Sequence, residues 1–306
     1  METPRVVAVV VTYNPGDIAT LLASLSEQCA AVVVVDNGSS NSEQVRASCE
    51  KARATYVGLS ENCGIAAAQN IGIDWARERG ASHVLLMDHD SIPAPDMVAL
   101  LLDGLCNDSE LGAVGPLAVE DREGADELVY IAREWKPGRA SAEELESECV
   151  EVAFLIASGC LIRMDVLDDI GGMNEALFID HVDLEWGLRA RNAGWKLAVI
   201  PAARLHHELG DDVVLLPGRS QPIHVHSPIR NYYLTRNTLW LSRQSGLAPT
   251  KWRIRYLWWL AQYIGFNAIV PDIVGKAGGH AKPSERWRML AGGVRDGIRG
   301  RMGRKS

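Results

Sequence analysis

The first half of the chain alternates between short hydrophobic runs and longer helix-like segments, and this alternation limits the folds that it can adopt. The runs are apolar at consecutive positions, which is typical of central strands that are covered on both faces. Such a pattern favours βαβ units with a parallel sheet between layers of helices. The predicted strands are residues 6–11, 31–35, 55–59 and 83–87. The predicted helices are residues 16–28, 42–53, 65–79 and 96–105.

Polar side chains follow three of these strands at the points where they end. The sequence Thr-Tyr-Asn at residues 12–14 follows the first strand, Asp36 the second, and Asp88 the fourth. The carboxyl ends of parallel strands lie at one edge of a sheet, where open α/β folds bind their ligands. The first of these loops lacks the Gly-x-Gly-x-x-Gly turn of dinucleotide-binding folds, and the chain has no Gly-Lys-Ser/Thr phosphate loop. We therefore expect a nucleotide held by carboxylates and a metal.

Asp88 and Asp90 are separated by one residue, His89, directly after a hydrophobic run. Oxygen ligands of this kind favour Mg2+ or Mn2+, which proteins usually hold with one or two carboxylates together with substrate phosphates. The alternative interpretation is a polar turn, or a cap for the helix that begins near Asp96. The metal interpretation places a divalent cation at the same edge of the sheet as the nucleotide.

Charge is distributed unevenly along the chain. The net charge is -8, yet residues 251–306 contain 12 Lys and Arg against 3 Asp and Glu. This basic tail includes an aromatic-rich apolar stretch at residues 256–266, shorter than the about 20 residues that span a bilayer. We expect either contact with an anionic membrane surface or a helical interface in a homo-oligomer. The acidic remainder of the chain argues against nucleic-acid binding.

The amino-terminal sequence and the cysteines bear on the cellular compartment. The sequence begins without a basic leader, a spacer or a cleavage site, so we expect no secretory signal. Its six cysteines show no metal-finger spacing and no close pair, which favours free thiols in a reducing cytoplasm. The expected location is therefore the cytoplasm, with peripheral contact at the inner face of the plasma membrane through the tail.

An ordered series of short motifs extends this interpretation. They lie at residues 10–14, 35–39, 61–64, 69–72, 88–90, 158–160, 171–173, 177–191 and 207–211. In this order, over about residues 5–240, they resemble family 2 glycosyltransferases of the GT-A fold. The strings Phe-Ile-Asp-His-Val-Asp-Leu-Glu-Trp at 178–186 and His-Glu-Leu-Gly-Asp at 207–211 look most like bacterial rhamnosyltransferases, which take L-rhamnose from dTDP-rhamnose.

The resemblance implies roles for individual residues on the donor side. The implied nucleotide-sugar contacts are Thr12, Tyr13, Asn14, Asp36, Asn70, Asp88 and His89. Thr12 to Asn14 would contact the base, Asp36 the base or ribose, and Asn70 would shape the pocket. The implied metal ligands are Asp88, Asp90 and His207, with His206 as the neighbouring competitor.

The catalytic base is the residue that the resemblance assigns least directly. Inverting transfer needs a carboxylate that takes the proton from the acceptor hydroxyl. Many relatives carry Glu-Asp-x-Asp or Glu-Asp-x-Glu here and use the second residue, a position that His181 occupies in this chain. We expect Asp180 to be the base, with Asp183 second and His181 third. Asp180 and Asp183 would share a face if a helix begins here, and either could instead be a helix cap.

Residues 230–237 combine cations with aromatic side chains just before the basic tail. We expect Arg236 to contact the donor diphosphate or the phosphate of a lipid-linked acceptor. The alternative is a helix that packs its tyrosines inward and leaves its arginines solvated.

Together these observations predict an α/β protein of the GT-A fold, with a Rossmann-like, mostly parallel sheet and a helical C-terminal extension. The expected domains are a transferase domain at 1–240, with a nucleotide-sugar half at about 1–115 and an acceptor half at about 116–240, and a tail at 241–306. The expected enzyme is a metal-dependent inverting hexosyltransferase that moves L-rhamnose to a surface polysaccharide or lipid-linked glycan. A UDP-hexose or UDP-galactofuranose donor is the alternative. A sugar nucleotidyltransferase or a noncatalytic nucleotide-sugar binding protein would be a different class.

Overall fold

The computed structural model describes residues 4–119, 129–207, 212–214, 223–274 and 283–305, with side chains described at 4–119, 129–206, 226–268 and 284–305. The chain divides into two compact units. Unit 1 consists of Met1–Arg133, Pro137–Glu175 and Val182–Glu208. Unit 2 consists of Glu134–Lys136, Ala176–His181 and Leu209–Ser306. The sequence-based boundaries near residues 115 and 240 stay a prediction.

The first half of unit 1 is the predicted series of alternating strands and helices. Its strands are β1 (Val6–Thr12), β2 (Ala31–Asp36), β3 (Thr55–Gly58), β4 (His83–Asp88) and β5 (Ser91–Pro93). Its helices are α1 (Ala19–Gln28), α2 (Ser42–Ala52), α3 (Ile65–Glu78) and α4 (Met97–Asn107). Helix α1 begins later than predicted because the Asp17 carboxylate accepts the amide of Ala19 at 2.9 Å, which favours a turn before the helix.

The second half of unit 1 contributes the remaining strands of the sheet. Its strands are β6 (Leu111–Val119), β7 (Tyr130–Ala132), β8 (Pro137–Arg139), β9 (Val150–Glu151), β10 (Cys160–Arg163) and β11 (Lys196–His207). Its helices are α5 (Met164–Ile170) and α6 (Val182–Asn192). Strands β7 and β8 form a separate antiparallel pair.

The main sheet has nine strands, in the order β3-β2-β1-β4-β10-β6-β11-β5, with β9 paired to β11. Strands β1 to β4 are mutually parallel, β6 is parallel to β11, and β10 is antiparallel to both of its neighbours. The predicted α/β class with a mostly parallel sheet is thus confirmed. Strand β1 is buried along its whole length, because helices cover both faces of the sheet.

Successive residues of β1 face opposite layers of helices, as the pleat of a strand requires. Val6, Ala8 and Val10 belong to a core that includes buried side chains of α1, α2 and α4. On the other face α3 packs against β1. This close approach depends on Gly72, where a Cβ would lie 2.1 Å from Val9 Cγ1. Helix α3 and strand β1 therefore pack with no room for a side chain at this position.

Unit 2 is mainly helical, in agreement with the predicted C-terminal helical extension. It contains the antiparallel strands β12 (Asp212–Val214) and β13 (Ile223–Val225), followed by α7 (Pro228–Arg243), α8 (Thr250–Val274) and α9 (Pro283–Arg299). Helices α8 and α9 both pack against α7. Helix α9 reaches α7 closely through Gly293 and Gly297, where added Cβ atoms would lie 2.6 Å from Tyr232 O and 2.9 Å from Leu239 Cβ. Among the residues described, no helix is long and apolar enough to cross a membrane.

Candidate active site

Three polar strand ends of unit 1 lie side by side at the carboxyl edge of the sheet. Thr12 is the backbone partner of Asp36, and Val11 is the partner of Asp88. The expectation that these strand ends meet is therefore confirmed by the register of the sheet. Thr12 is fully buried, and its Oγ1 donates to Asp36 Oδ1 at 3.3 Å.

The carboxylate of Asp36 is buried and already well supplied with hydrogen-bond donors. Its Oδ1 accepts the Ser39 amide at 3.2 Å and the Ser39 hydroxyl, and its Oδ2 accepts Tyr56 OH at 3.0 Å. Such bonds compensate the cost of burying the carboxylate and fix its orientation. Ser39 and Tyr56 were missed as site residues. An Asp followed three residues later by a Ser is a turn signal for the first, whereas no local signal marks the second.

The loop after β1 is tied to the loop after β2 by the side chain of Asn14. Asn14 has a φ of 47°, in the left-handed region that Asn tolerates better than most residues. Its Oδ1 accepts the amide of Ser40 at 2.8 Å and the Ser40 hydroxyl at 2.9 Å. Tyr13, in contrast, leaves 48% of its surface exposed. Asn14 therefore shapes this edge, while nearly half of the Tyr13 surface is accessible to solvent.

A second pair of loops is joined by two asparagines. Asn37 Nδ2 donates to Asn62 Oδ1 at 3.2 Å, and Asn37 Oδ1 accepts the Cys63 amide at 2.8 Å. Gly38 lies between them with a φ of 77°, and a Cβ there would lie 2.5 Å from the carbonyl carbon of Glu61. Only glycine fits this position, because both its φ and the close backbone approach exclude a side chain.

Asp88 lies in unit 1 close to two other carboxylates. Burial and the charges of Asp90 and Asp183 together raise the pKa of its carboxyl group to about 7, while His89 opposes this shift. The amide of Asp88 donates to Ser158 Oγ at 3.2 Å. This Ser158 hydroxyl donates in turn to Ser91 Oγ at 2.8 Å. Crowded carboxylates of this kind favour either protonation or a bound cation.

The donor set of this edge fits a divalent cation held by few protein ligands. Within the described residues, no group of three or more His, Cys, Asp or Glu side chains is arranged to hold a metal. Asp88 and Asp90 together supply the one or two carboxylates with which Mg2+ and Mn2+ are usually held. The backbone of His207 pairs with Ser91 and that of His206 with Ile92, but the His207 side chain lies outside the described residues.

Asn70 joins helix α3 to the segment that follows α5. Its Oδ1 accepts the Met173 amide at 2.7 Å, and its Nδ2 donates to Met173 O at 2.9 Å and Glu175 Oε1 at 2.8 Å. A Cβ at Gly172 would lie 2.4 Å from Asn70 Oδ1, so this glycine permits the contact. Asn70 therefore uses its amide within the protein, and its expected effect on the nucleotide pocket would be indirect.

The segment after α5 is also held by an ion pair that was not predicted. Arg189 Nε donates to both carboxylate oxygens of Glu185 at 3.0 Å, and Glu185 is buried. The same guanidinium donates to Ile170 O and Gly172 O, each at 2.6 Å. Planar guanidinium groups suit several simultaneous acceptors of this kind. These residues are four apart on α6, a spacing that predicts the pair but not its carbonyl partners.

The two candidate bases belong to different units. Helix α6 begins at Val182, so Asp180 lies before the helix and the two carboxylates do not share a helical face. Asp183 lies in the first turn of α6 in unit 1, close enough to Asp88 to raise its pKa. Asp180 lies in unit 2, where its Oδ1 accepts Arg230 Nη2 at 2.6 Å. Burial lowers the pKa of His181, and Arg230 adds to this effect while Asp180 opposes it.

Arg236 does not present its guanidinium to solvent in unit 2. The residue is fully buried, and its Nη2 donates to Ala176 O at 3.2 Å and Leu177 O at 2.8 Å. It lies over the rings of Tyr232 and Tyr233, and burial lowers its pKa. The tyrosines thus pack inward as the alternative interpretation expected, but this arginine is buried with them. Its donors serve unit 2 itself, and we do not assign Arg236 to the donor diphosphate.

The fold and the site define a class of α/β protein with carboxylates at the carboxyl edge of a mostly parallel sheet. Residues 7–171 match the family model for glycosyl transferase family 2. The chain therefore belongs to glycosyltransferase family 2. The prediction that it is a hexosyltransferase is confirmed.

Two curated relatives transfer rhamnose. The chain is 33% identical over 256 residues to dTDP-rhamnosyl transferase RfbF of Shigella flexneri, covering 79% of this chain and 81% of that protein. It is 26% identical over 283 residues to N-acetylglucosaminyl-diphospho-decaprenol L-rhamnosyltransferase of Mycobacterium tuberculosis, covering 81% of this chain and 88% of that protein.

A solved structure supports the same fold. The structure of GalNAc-T7 with UDP, GalNAc and Mn2+ matches with a TM-score of 0.57 at 16% identity. The match covers 90% of this chain, which spans 58% of that longer one. The predicted GT-A fold is therefore confirmed, while the ligands of that structure remain properties of GalNAc-T7.

Proposed function

We propose that this glycosyltransferase moves L-rhamnose from dTDP-rhamnose to a surface polysaccharide or a lipid-linked glycan, with inversion at the anomeric carbon. The observation that carries the proposal is the group of carboxylates at the edge of the sheet, formed by Asp88, Asp90 and Asp183 in unit 1. The donor is inferred from the two rhamnosyltransferase relatives, and a lipid-linked acceptor from the one named for a diphospho-decaprenol substrate.

The donor nucleotide is recognised by the loops after β1 and β2. Tyr13 offers an exposed ring on which the base can stack, and stacking of this kind tolerates different bases. Thr12 and Asp36 are fully buried, so they act by fixing the loops and by the remaining acceptor capacity of the carboxylate. Asn14 holds the two loops together through Ser40. His89 and Asn70 are proposed to border this pocket.

The residues proposed to hold a divalent cation are Asp88 and Asp90, with His207 as a third ligand. The carboxylate oxygens of the two aspartates suit Mg2+ or Mn2+. The cation would neutralise charge on the leaving diphosphate, so no protein acid is needed there. Asp88 must be ionised to serve as a ligand, and its raised pKa places that ionisation near neutral pH in the metal-free protein.

The base is proposed to be Asp180. It takes the proton from the acceptor hydroxyl while that oxygen bonds to the anomeric carbon, and the bond from this carbon to the diphosphate oxygen breaks. Asp180 Oδ1 is paired with Arg230, whereas its Oδ2 is buried and has no hydrogen-bond partner. The bond to Oδ1 fixes the orientation of the carboxylate, and Oδ2 has no competing donor, so Oδ2 is suited to receive a proton. Asp183 is the alternative base.

A panel of nucleotide sugars tests the donor assignment. We expect dTDP-rhamnose with Mn2+ to raise the melting temperature more than dTDP, UDP-glucose or UDP-galactofuranose, because a bound ligand stabilises the folded state in proportion to its occupancy. EDTA should remove the effect. A stronger response to either UDP sugar would replace the donor, and no response to any nucleotide sugar would overturn the proposal.

We further propose peripheral contact with an anionic membrane, which would suit a lipid-linked acceptor. Helix α8 exposes Ile254, Leu257 and Trp258, with 59%, 45% and 56% of their surfaces accessible, next to the exposed cation Arg255. Apolar and aromatic side chains flanked by cations bind anionic bilayer surfaces. Vesicles with phosphatidylglycerol should co-sediment the protein, and Trp258→Ser with Leu257→Ser should weaken this. Equal binding of the double variant would exclude this face.

A further inference from the structure

The segment at residues 176–181 has an unusual backbone. Phe178, Asp180 and His181 have φ values of 67°, 64° and 64°, in the left-handed region that residues other than Gly adopt in only a few per cent of cases. Asp and His are enriched there among such residues, whereas a bulky residue such as Phe178 is an outlier. Strained residues of this kind persist only where surrounding contacts determine the conformation, and they are concentrated at functional sites. The segment therefore needs an external support in unit 2.

Asn237 of α7 supplies most of that support. It is fully buried, and its Nδ2 donates to Leu177 O at 3.1 Å, Ile179 O at 2.8 Å and Asp180 O at 2.9 Å. Its Oδ1 accepts Arg236 Nε at 2.9 Å, which fixes the orientation of the amide. The two hydrogens of this amide are thus shared among three carbonyl groups of a segment that forms no regular structure between Leu177 and Val182.

The two neighbours of Asn237 hold the ends of the same segment. Arg236 donates to Ala176 O and Leu177 O, at 3.2 and 2.8 Å. Thr238 Oγ1 shares a hydrogen bond of 2.8 Å with His181 Nε2. Three consecutive residues of α7 therefore bind successive parts of the segment. We name Arg236, Asn237 and Thr238 the loop clamp.

Asp180 is held at two points by residues of helix α7. Asn237 holds its carbonyl group, and Arg230 of the same helix holds its Oδ1. The side chain of Asp180 keeps 6% of its surface exposed. Its backbone and one carboxylate oxygen are thus fixed from α7, which leaves Oδ2 as the oxygen without a hydrogen-bond partner.

We infer that Asn237 is a positioning residue for the transfer reaction, which it serves by holding Asp180 in the strained conformation that presents Oδ2 to the acceptor hydroxyl. The inference rests on the proposed role of Asp180 as base. Asn237 touches neither donor nor acceptor. Its loss would leave the donor loops of unit 1 unchanged and would displace the base, and a misplacement of about 1 Å costs about 100-fold in rate.

The test is Asn237→Asp, which keeps the shape and the acceptor for Arg236 but removes the three donated hydrogen bonds. We expect kcat for rhamnose transfer to fall about 100-fold, with little change in the dissociation constant of dTDP-rhamnose measured by calorimetry. The matched control is Asn231→Asp on the same helix. Asn231 is also fully buried, but its Nδ2 has no partner and its Oδ1 accepts Tyr263 OH at 2.6 Å, a bond that Asp retains. Its kcat should not change.

A double variant separates positioning from a general loss of structure. If Asn237 acts through Asp180, Asn237→Asp should cost little further activity in the Asp180→Asn background, because coupled residues are not additive. Full additivity in the double variant would overturn the inference, as would an unchanged kcat in Asn237→Asp. Retained transfer by Asp180→Asn alone would instead refute the proposed base. If Asn237→Asp does not fold, the hydroxyl of Thr238 offers a second test. Thr238→Val should lower kcat, because it removes the bond to His181, whereas Thr238→Ser keeps the hydroxyl and should have a kcat close to that of the unmodified protein. Equal kcat values for these two variants would overturn the inference.

Discussion

Asp88 in unit 1 and Asp180 in unit 2 lie in opposite electrostatic environments. In unit 1, Asp88 lies near Asp90 and Asp183, and these like charges add to burial in raising its pKa to about 7. In unit 2, Asp180 is paired with Arg230 and its backbone is bonded to Asn237. A bound cation would stabilise the first arrangement, whereas in the second the protein itself supplies a cation for one oxygen of the carboxylate. This difference fits a metal and donor site in unit 1 and a preorganised base in unit 2.

The largest effect is expected from Asp180→Asn in unit 2. Removal of a general base costs about 100- to 10,000-fold in rate, so kcat for transfer should fall by that range. Donor binding in unit 1 should remain, because Asp180 belongs to no donor loop. Single-turnover transfer assays and calorimetry with dTDP-rhamnose measure the two effects. If transfer persists in Asp180→Asn and is lost in Asp183→Asn, the base belongs to unit 1 and the functional contrast between the units fails.

Asp90→Ala tests the proposed cation site of unit 1. Loss of a metal ligand should weaken Mn2+-dependent binding of dTDP-rhamnose about 100-fold, equivalent to about 2.8 kcal/mol. Asp103→Ala, which removes an exposed carboxylate of α4, is the matched control and should bind normally. Calorimetric titration with and without Mn2+ measures both. Equal affinity of the two variants would show that Asp90 holds no cation.

The strand-end residues could be predicted from the sequence because their positions follow from local rules. A hydrophobic run ends, polar residues follow, and parallel pairing brings Thr12, Asp36 and Asp88 to one edge. The same rules could not find Tyr56, which reaches Asp36 from the neighbouring strand β3. Its role depends on the register between β2 and β3, which no short motif encodes.

The residues that hold Asp180 could not be predicted from local sequence patterns, because they are distant from it in the chain. The loop clamp lies more than 50 residues further along the chain, and its bonds depend on the packing of α7 in unit 2. Arg236 illustrates the difficulty, because a cation beside tyrosines in the sequence is compatible both with a phosphate ligand and with a structural residue. Its burial and its bonds to Ala176 O and Leu177 O decide in favour of a structural role, and neither can be read from composition.

The raised pKa of Asp88 predicts a dependence of stability on pH in the metal-free protein. The folded pKa of about 7 lies above the ordinary value of 3.8, so the folded state binds more protons between these values. The contribution of Asp88 to the free energy of unfolding should therefore fall as pH rises from about 4 to 7. Asp88→Asn should remove that part of the dependence. Melting temperatures at pH 5 and pH 8, in EDTA, measure it, and identical profiles for the two proteins would show that the pKa of Asp88 is not raised.

The smallest effect concerns the packing that holds α7, and with it the loop clamp. Gly293→Ala would place a Cβ 2.6 Å from Tyr232 O, so α9 must move away from α7. Overpacking of this kind costs about 1–3 kcal/mol, which exceeds the gain of about 1 kcal/mol that Ala brings to a helix interior. Gly265 of α8 is the control, because it has nothing within 4 Å. Denaturant unfolding should show Gly265→Ala stabilised and Gly293→Ala destabilised. Stabilisation of both would mean that α9 does not depend on this close contact.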